Sequence, residues 1–227
     1  MRIREIATGL EFPEGPVAMD DGSVLLVEIA RGTLTRVTPD GRASVVAQLG
    51  GGPNGAAIGP DGAVYVTNNG GFRWTRLPNG QLRPGYQADD YEGGRIERVN
   101  LATGRFERVY TACGVEKLRG PNDLVFDAHG SFYFSDLGKN RPRDSDRGAL
   151  YYAKPDGSDI QCVAPSVVTP NGIGLSPDGK TLYYAETEGA RLWAMDLAGP
   201  GKVDRRRPPA PPGVRALASS PGGHHQY

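Results

Sequence analysis

The chain repeats one pattern of apolar and polar positions four times. Each copy begins with Pro and then Glu or Asn, runs through a short apolar stretch to a Gly-containing turn, and ends in an alternating or aromatic stretch closed by a polar residue. The copies are FPEGPVAMDDGSVLLVE from Phe12, GPNGAAIGPDGAVYVTN from Gly52, GPNDLVFDAHGSFYFSD from Gly120 and TPNGIGLSPDGKTLYYAE from Thr169. Short apolar stretches on both sides of a tight turn predict paired β-strands.

The segments between the copies also have the pattern of hairpins. Asp-Gly or Thr-Gly stands at the reversal in the first three segments, and Gly-Pro-Gly stands there in the fourth. Two hairpins per copy make a four-stranded unit, and repetition of such units predicts an all-β fold of the β-propeller type with about four blades. A partial propeller over residues 1–206 is therefore expected, with blades at about 11–49, 52–112, 120–164 and 169–206, an inserted loop at 70–94, and an irregular tail at 207–227.

Composition supports this fold and excludes several classes of function. The 33 Gly and 19 Pro residues exclude a bundle of long helices, because both residue types destabilise helix interiors. The 26 basic and 26 acidic residues cancel, so no general attraction to nucleic acid or to an anionic membrane is expected. The sequence shows neither a secretory signal nor an apolar run of membrane-spanning length, which predicts a cytoplasmic protein that binds a small molecule.

The polar residue that opens each copy is the main candidate for chemistry. In a propeller the first strand of each blade lies nearest the axis, so these residues are expected to point into a central channel. They are Glu14, Asn54, Asn122 and Asn171. One carboxylate and several amide oxygens form a hard site that suits calcium better than zinc. The alternative is that these residues only cap turns at strand entry, but their recurrence at blade spacing favours the channel site.

Three motifs resemble a known family. They are PEGP at residues 13–16, RGPND at 119–123 with the following LVFDAHGSFYFSD, and PNGIGLSPDGKTLYYAE from Pro170. These motifs are similar to those of the senescence marker protein, regucalcin and gluconolactonase family of six-bladed propellers, and the similarity covers residues from about 8 to 206. The resemblance implies a lactone hydrolase that holds one divalent cation, with calcium expected and zinc, magnesium or manganese as alternatives. The C-terminal blades of such a propeller are not recognised in this sequence.

Residue roles follow from the resemblance. Glu14, Asn122 and Asn171 are implied to be metal ligands, and Asn54 is implied to line the substrate pocket. The metal is expected to polarise the lactone carbonyl while a carboxylate takes a proton from the attacking water. The family places its base on an Asp that opens the following blade, and no such motif is present here. Asp123 is the substitute catalytic base that we predict, with an Asx turn as the alternative explanation.

Residues near the insertion are candidates for substrate recognition. Asn68 and Asn69 precede it and are predicted to reach the mouth of the pocket. Within it, Arg73, Trp74, Arg76 and Arg83 are predicted to form a lid that offers cations and an aromatic face to a sugar acid. The alternative is a solvated loop in which the arginines pair with Asp89 and Asp90. Asp136 and Glu186, which end second strands, are predicted to carry little functional weight.

Three hypotheses of function are consistent with these residues. The first is a calcium-dependent hydrolase that opens a sugar lactone. The second keeps the metal and changes the substrate to an organophosphate or aryl ester. The third is a non-catalytic, partial propeller that binds a metal or a partner. Open blade edges in a partial ring also predict self-association.

Overall fold

The computed structural model describes residues 3–204 and the strand at residues 214–219. Within these residues every regular element is a β-strand, in agreement with the all-β prediction. No helix long and apolar enough to cross a membrane is found in the described part of the chain.

Four antiparallel sheets follow one another along the described chain. Sheet I contains β1 (Pro13–Ala18), β2 (Val24–Glu28), β3 (Thr33–Val37) and β4 (Ala43–Gln48). Sheet II contains β5 (Pro53–Ile58), β6 (Val64–Asn68), β9 (Arg95–Val99) and β10 (Phe106–Tyr110). Sheet III contains β13 (Pro121–Phe126), β14 (Phe132–Asp136), β15 (Gly148–Ala153) and β16 (Ile160–Val167). Sheet IV contains β17 (Pro170–Leu175), β18 (Thr181–Glu186), β19 (Arg191–Gly199), β20 (Lys202–Val203) and β21 (Val214–Ser219).

Two small hairpins lie outside these sheets. Strands β7 (Phe72–Arg76) and β8 (Leu82–Gln87) pair within the insertion between β6 and β9. Strands β11 (Ala112–Cys113) and β12 (Glu116–Lys117) pair between sheets II and III.

The insertion at 70–94 is a hairpin and not the loop that the sequence analysis expected. At its tip Leu77 donates its backbone N–H to the carbonyl of Gln81 at 2.8 Å, and Gly80 has φ of 84°. Gly80 follows Asn79, and Asn-Gly is the dipeptide that tight hairpin turns favour because they need positive φ. The local turn signal was therefore present in the sequence.

The segment at 207–227 also differs from the expectation of an irregular tail. Val214–Ser219 form β21, which pairs antiparallel with the beginning of β19, while β20 pairs with the end of β19. Backbone pairing of this kind covers hydrogen-bonding groups that an edge strand would leave open. The other residues of this segment lie outside the described part of the chain.

The core lies between neighbouring sheets, and the alternation of side chains along β14 shows how. Phe132 and Phe134 join the cluster that packs against Tyr65 of sheet II. Tyr133, which points to the opposite face, joins the cluster around Leu182 of sheet IV. A strand buried on both faces has no polar side, and each such side chain contributes about 1.5–3 kcal/mol on burial. Sheet III is therefore packed between its two neighbours.

The first strand of each sheet contacts the first strand of the next. Strand β1 packs beside β5, β5 beside β13, and β13 beside β17. The sheets are thus arranged around the line where their first strands meet. The opening residues of the four repeats are brought to this line.

Candidate metal and substrate site

Each first strand has an irregular register at its polar residue. The pairing shifts between Glu14 and Val17 in β1 and between Pro53 and Gly55 in β5. It shifts again between Pro121 and Leu124 in β13, and between Pro170 and Ile173 in β17. A β-bulge turns a side chain away from the regular pleat, and such bulges are common beside functional sites. The Pro-Glu and Pro-Asn pairs of the repeats therefore coincide with these bulges.

The four opening residues come together, as the repeat predicted. Two cavities, of about 520 Å³ and about 310 Å³, share all four of these residues in their walls. We call the set Glu14, Asn54, Asn122 and Asn171 the polar ring. The larger cavity is also lined by the β7–β8 hairpin and is called the hairpin cavity. The smaller one is called the axial cavity.

Hydroxyl groups on second strands fix the backbone of the polar ring. Thr67 accepts the Gly55 N–H at 2.8 Å and donates its hydroxyl to the carbonyl of Asn122 at 2.6 Å. Ser135 repeats this arrangement one sheet further on, accepting the Asp123 N–H at 3.2 Å and donating to the carbonyl of Asn171. Each hydroxyl therefore links the first strand of its own sheet to that of the next.

Sheets I and II approach too closely for a side chain at Gly15. Its φ is +54°, and a Cβ there would lie 2.7 Å from the backbone nitrogen of Ala56. Glycine tolerates both the positive φ and the close contact. This glycine lets β1 bring Glu14 to the polar ring.

The amide side chains of the polar ring are available to bind a ligand. Asn171 donates Nδ2 to the hydroxyl of Thr187 at 3.1 Å, which leaves its amide oxygen for the cavity. The side chains of Asn54 and Asn122 make no hydrogen bond with any residue that the structure describes, although both residues are buried. Both residues line the two cavities, so their amide oxygens are open to an ion or a substrate there.

Glu14 is the single carboxylate of the polar ring. Desolvation raises its pKa, the Gly15 N–H partly opposes this, and the nearby Asp123 carboxylate adds to the rise. A cation beside Glu14 would reverse the shift, because an opposite charge favours the ionised form. No group of three His, Cys, Asp or Glu residues with metal-binding geometry occurs in the described part of the chain. Any metal site here therefore depends on the asparagine oxygens.

Asp123 lines the axial cavity but not the hairpin cavity. Its Oδ1 accepts the Leu124 N–H at 2.9 Å, and its Oδ2 accepts the Ile173 N–H at 3.2 Å. Burial raises the pKa of Asp123 against the effect of these two bonds. The carboxylate thus joins β13 to β17 and lies close enough to the polar ring to influence Glu14.

The predicted substrate residues Asn68 and Asn69 line neither cavity. Asn68 is fully buried, where Oδ1 accepts the Gly52 N–H at 2.9 Å and Nδ2 donates to Glu97 at 2.9 Å. Asn69 accepts the Lys139 amine at 3.1 Å. This corrects the expectation that they reach the mouth of the pocket, because their amides bind buried groups of the scaffold.

The arginines of the hairpin divide into two kinds. Arg73, predicted to bind substrate, instead pairs with Asp89 across the hairpin, with Nε 2.8 Å from Oδ1. Arg76 donates to the carbonyl of Gly80 at 3.0 Å and approaches Glu11 at 3.5 Å. Arg83 lines the hairpin cavity together with Tyr86. The solvated-loop alternative therefore describes Arg73, and the lid hypothesis is consistent with Arg83.

Sequence reasoning missed the roles of two buried groups. Asp136 accepts the backbone N–H groups of Arg119 and Gly120, both at 2.7 Å, and of Gly138 at 3.0 Å. Lys139 is 1% exposed and holds the hairpin from the loop that follows β14. The polar residue that ends each second strand was a visible signal for Asp136, whereas no local pattern indicated the role of Lys139.

First strands packed around one line, with polar side chains directed to it, define a β-propeller with an axial site. Residues 12–213 match the family model described as the SMP-30/Gluconolactonase/LRE-like region, and the chain belongs to this family. The family resemblance inferred from the three motifs is confirmed.

Relatives and solved structures agree with this assignment. A gluconolactonase of Zymomonas mobilis is 25% identical over 222 residues, covering 88% of this chain and 56% of the relative. A lactonase drp35 of Staphylococcus saprophyticus is 30% identical over 196 residues, covering 85% of this chain and 53% of the relative. The chain thus spans about half the length of these curated relatives.

The structure of XC5397 from Xanthomonas campestris, a gluconolactonase, superposes with a TM-score of 0.69 at 22% identity. The superposition covers 93% of this chain and 64% of that one. The likeness concerns the fold, and the prediction of an all-β propeller is confirmed.

Proposed function

We propose that this protein is a metal-dependent hydrolase that opens a lactone ring, with calcium as its cation. The observation that carries the proposal is that the four residues of the polar ring line both the hairpin cavity and the axial cavity. The family assignment and the names of the relatives support the reaction class. Because the chain spans about half of those relatives, their activity enters here as a hypothesis about this chain.

The donor set fits a calcium ion. Glu14, Asn122 and Asn171 would hold it, with Asn54 beside it in the same ring. Hard cations of this size take carboxylate and amide oxygens and tolerate irregular geometry. The unpaired amides of Asn54 and Asn122 are the structural evidence for this fit. A bound calcium ion would act as a Lewis acid towards the lactone carbonyl oxygen.

Residues of the chain would bind the substrate and accept the proton of the attacking water. The hairpin cavity is large enough for a sugar-sized ring and is walled partly by the aromatic side chains of Phe12 and Phe72, which exclude water from one face of the substrate. Asp123, in the wall of the axial cavity, accepts the proton of the attacking water on its carboxylate. The backbone N–H groups of Leu124 and Ile173 hold that carboxylate in place.

Chelation and a conservative variant test the proposal. We expect hydrolysis of glucono-γ-lactone, followed by acid release at constant pH, to stop with a chelator and to return when calcium is added. Glu14→Gln should weaken calcium binding by at least about tenfold, because the carboxylate carries the charge of the site. Glu116→Gln is the matched control, since Glu116 is exposed and lines neither cavity. Undiminished turnover after complete calcium removal contradicts the proposal.

The Asp123→Asn variant distinguishes a catalytic base from a residue that only stabilises the contact between β13 and β17. If Asp123 is the base, kcat of the folded enzyme falls about 100-fold or more, whatever the change in melting temperature, while calcium affinity stays near the wild-type value. If Asp123 serves only to join β13 to β17, the melting temperature falls and kcat of the folded fraction does not. This second result would remove Asp123 from the mechanism.

One observation favours a second candidate, in which the propeller binds metal or a partner without turnover. Both oxygens of Asp123 already accept backbone N–H groups, so the structure holds the proposed base in a scaffold role. This candidate predicts calcium binding by calorimetry and no hydrolysis of lactones, aryl esters or organophosphates at saturating calcium. Hydrolysis of an organophosphate or aryl ester alone would keep the metal site and change the substrate class.

A further inference from the structure

The β7–β8 hairpin forms one wall of the hairpin cavity and carries a cation to it. Arg83 and Tyr86 of β8 and Phe72 of β7 line this cavity. The polar ring lines the same cavity. A ligand that fills this cavity would contact both the hairpin and the polar ring.

The hairpin is fixed to sheet III along both of its strands. Lys139 donates its amine to the carbonyl of Gly71 at 2.7 Å and lies 4.1 Å from the centre of the Phe72 ring, at the start of β7. Gln87, at the end of β8, donates its backbone N–H to the carbonyl of Asn140 at 2.9 Å. A wall attached at both strands presents its side chains from a defined position.

Among residues 3–204, no group pairs with the guanidinium of Arg83. Arg73 and Arg76, the other arginines of these strands, are engaged with Asp89 and with Gly80 and Glu11. Arg83 is exposed on β8, where its backbone pairs with Thr75, and its guanidinium makes neither an ion pair nor a hydrogen bond with any residue that the structure describes. The guanidinium donors are therefore open to a ligand in the cavity.

Neither acid that lines the hairpin cavity forms an ion pair with Arg83. Glu14 belongs to the polar ring, where it would face the metal. Glu188 lies in the wall contributed by sheet IV, where its backbone N–H binds the hydroxyl of Thr169 at 2.9 Å. Neither carboxylate is paired with Arg83 in the structure. An anionic group on a ligand in the cavity could therefore pair with Arg83.

We propose that Arg83 binds an anionic group on the substrate, and that the preferred substrate is a lactone carrying a carboxylate at the end remote from the ring carbonyl. This inference rests on the proposed function and specifies its substrate class. A planar guanidinium binds a carboxylate through two parallel hydrogen bonds, an interaction that a neutral sugar hydroxyl cannot match. A phosphate ester on the same position offers the same chemistry and is tested as a separate arm.

Two lactones of the same ring size test this preference. Glucaro-γ-lactone and glucono-γ-lactone differ in having a carboxylate or a hydroxymethyl group at one end. We expect the wild type to favour the carboxylated lactone in kcat/KM. Arg83→Gln should lower the ratio of the two values about 10- to 100-fold, the worth of one charged hydrogen-bonded pair. Arg76→Gln, on the same hairpin but outside the cavity, should leave the ratio unchanged.

A conservative variant of Arg83 and a phosphorylated lactone test the geometry and the identity of the bound anion. Arg83→Lys keeps the charge but not the two parallel donors, so it should restore only part of the ratio. A phosphorylated gluconolactone favoured over the carboxylated one would assign the anion to a phosphate ester. Equal turnover of all lactones, with ratios unaffected by Arg83→Gln, overturns the inference and leaves the proposed function intact.

If no lactone is hydrolysed, binding measurements still test whether Arg83 binds an anionic group. That outcome contradicts the proposed function, and calorimetry with the open-chain acids then decides about Arg83. We expect glucarate, with two carboxylates, to bind more tightly than gluconate in the presence of calcium. This difference should disappear in Arg83→Gln and persist in Arg76→Gln. Equal binding of both acids by the wild type overturns the inference.

Discussion

Single polar residues at the ends of second strands hold the loops around the site. Glu28, Asn68, Asp136 and Glu186 occupy this position in sheets I to IV, and all four are buried. Each accepts at least one backbone N–H group from the loop before its own first strand, as Glu28 does from Glu11 at 2.7 Å and Glu186 does from Val168 at 3.2 Å. A buried acceptor of this kind satisfies donors that would otherwise lose their hydrogen bonds to water.

Asp136 offers the clearest test of this role. Asp136→Ala leaves two buried N–H groups and one partly buried N–H group without an acceptor. Each buried group is worth about 1–3 kcal/mol, so we expect the free energy of unfolding to fall by about 2 kcal/mol or more. Urea denaturation measures the change. Asp178→Ala is the control, because Asp178 caps an exposed turn and should cost much less. Equal losses in the two variants would contradict the buried-acceptor role.

The β7–β8 hairpin is the element that most distinguishes the site. Its tip is specified locally by Asn79 and Gly80, but its position depends on Lys139, which is 70 residues away from its partner Asn69. Burial lowers the pKa of the Lys139 amine from its ordinary 10.5 to about 7, while the nearby carboxylates of Asp136 and Asp146 oppose the shift. The hairpin is therefore attached through a group that titrates in an accessible range.

This pKa predicts how stability changes with pH. Between pH of about 7 and 10.5 the unfolded chain binds one more proton at Lys139 than the folded chain does. The contribution of Lys139 to the free energy of unfolding should then rise with pH, by up to about 1.4 kcal/mol per unit, and level off above the unfolded pKa. Tyr91, whose ring also lies against this amine, has a pKa raised to about 12 and stays neutral in this window.

Lys139→Met removes the titrating group and retains contact with Phe72. Urea denaturation of both proteins from pH 6 to 10 should give a difference that changes with pH across this window. The fluorescence of Trp74, which lies on β7 and packs 5.0 Å from Phe12, reports hairpin position in a Trp193→Phe background. A pH-independent difference between the two proteins would contradict the shifted pKa.

The polar ring joins all four sheets at the scale of the whole molecule. Glu14 comes from sheet I, Asn122 from sheet III and Asn171 from sheet IV, so a shared cation would link strands far apart in sequence. A ligand that binds only the folded chain stabilises it by mass action.

We therefore expect calcium to raise the melting temperature. At 100 times its dissociation constant, the gain in the free energy of unfolding is about 2.7 kcal/mol. Scanning calorimetry with calcium and with a chelator measures it. Glu14→Gln should lose most of the increase, whereas Glu116→Gln should retain it. An identical melting temperature with and without calcium would argue against a cation in the polar ring, independently of any assay of activity.

The sequence alone determined the repeat, the paired strands of its four copies and the four residues of the polar ring, because side-chain alternation, turn residues and the Pro-Glu and Pro-Asn pairs are local features. Only the tertiary structure decided which polar residues reach a ligand. Asn54 and Asn68 are both buried asparagines of sheet II, yet one lines the cavities and the other binds Glu97. Likewise, Arg83 lines the hairpin cavity, whereas Arg73 pairs with Asp89. The partner of each side chain comes from another strand or loop, and no local pattern encodes that contact.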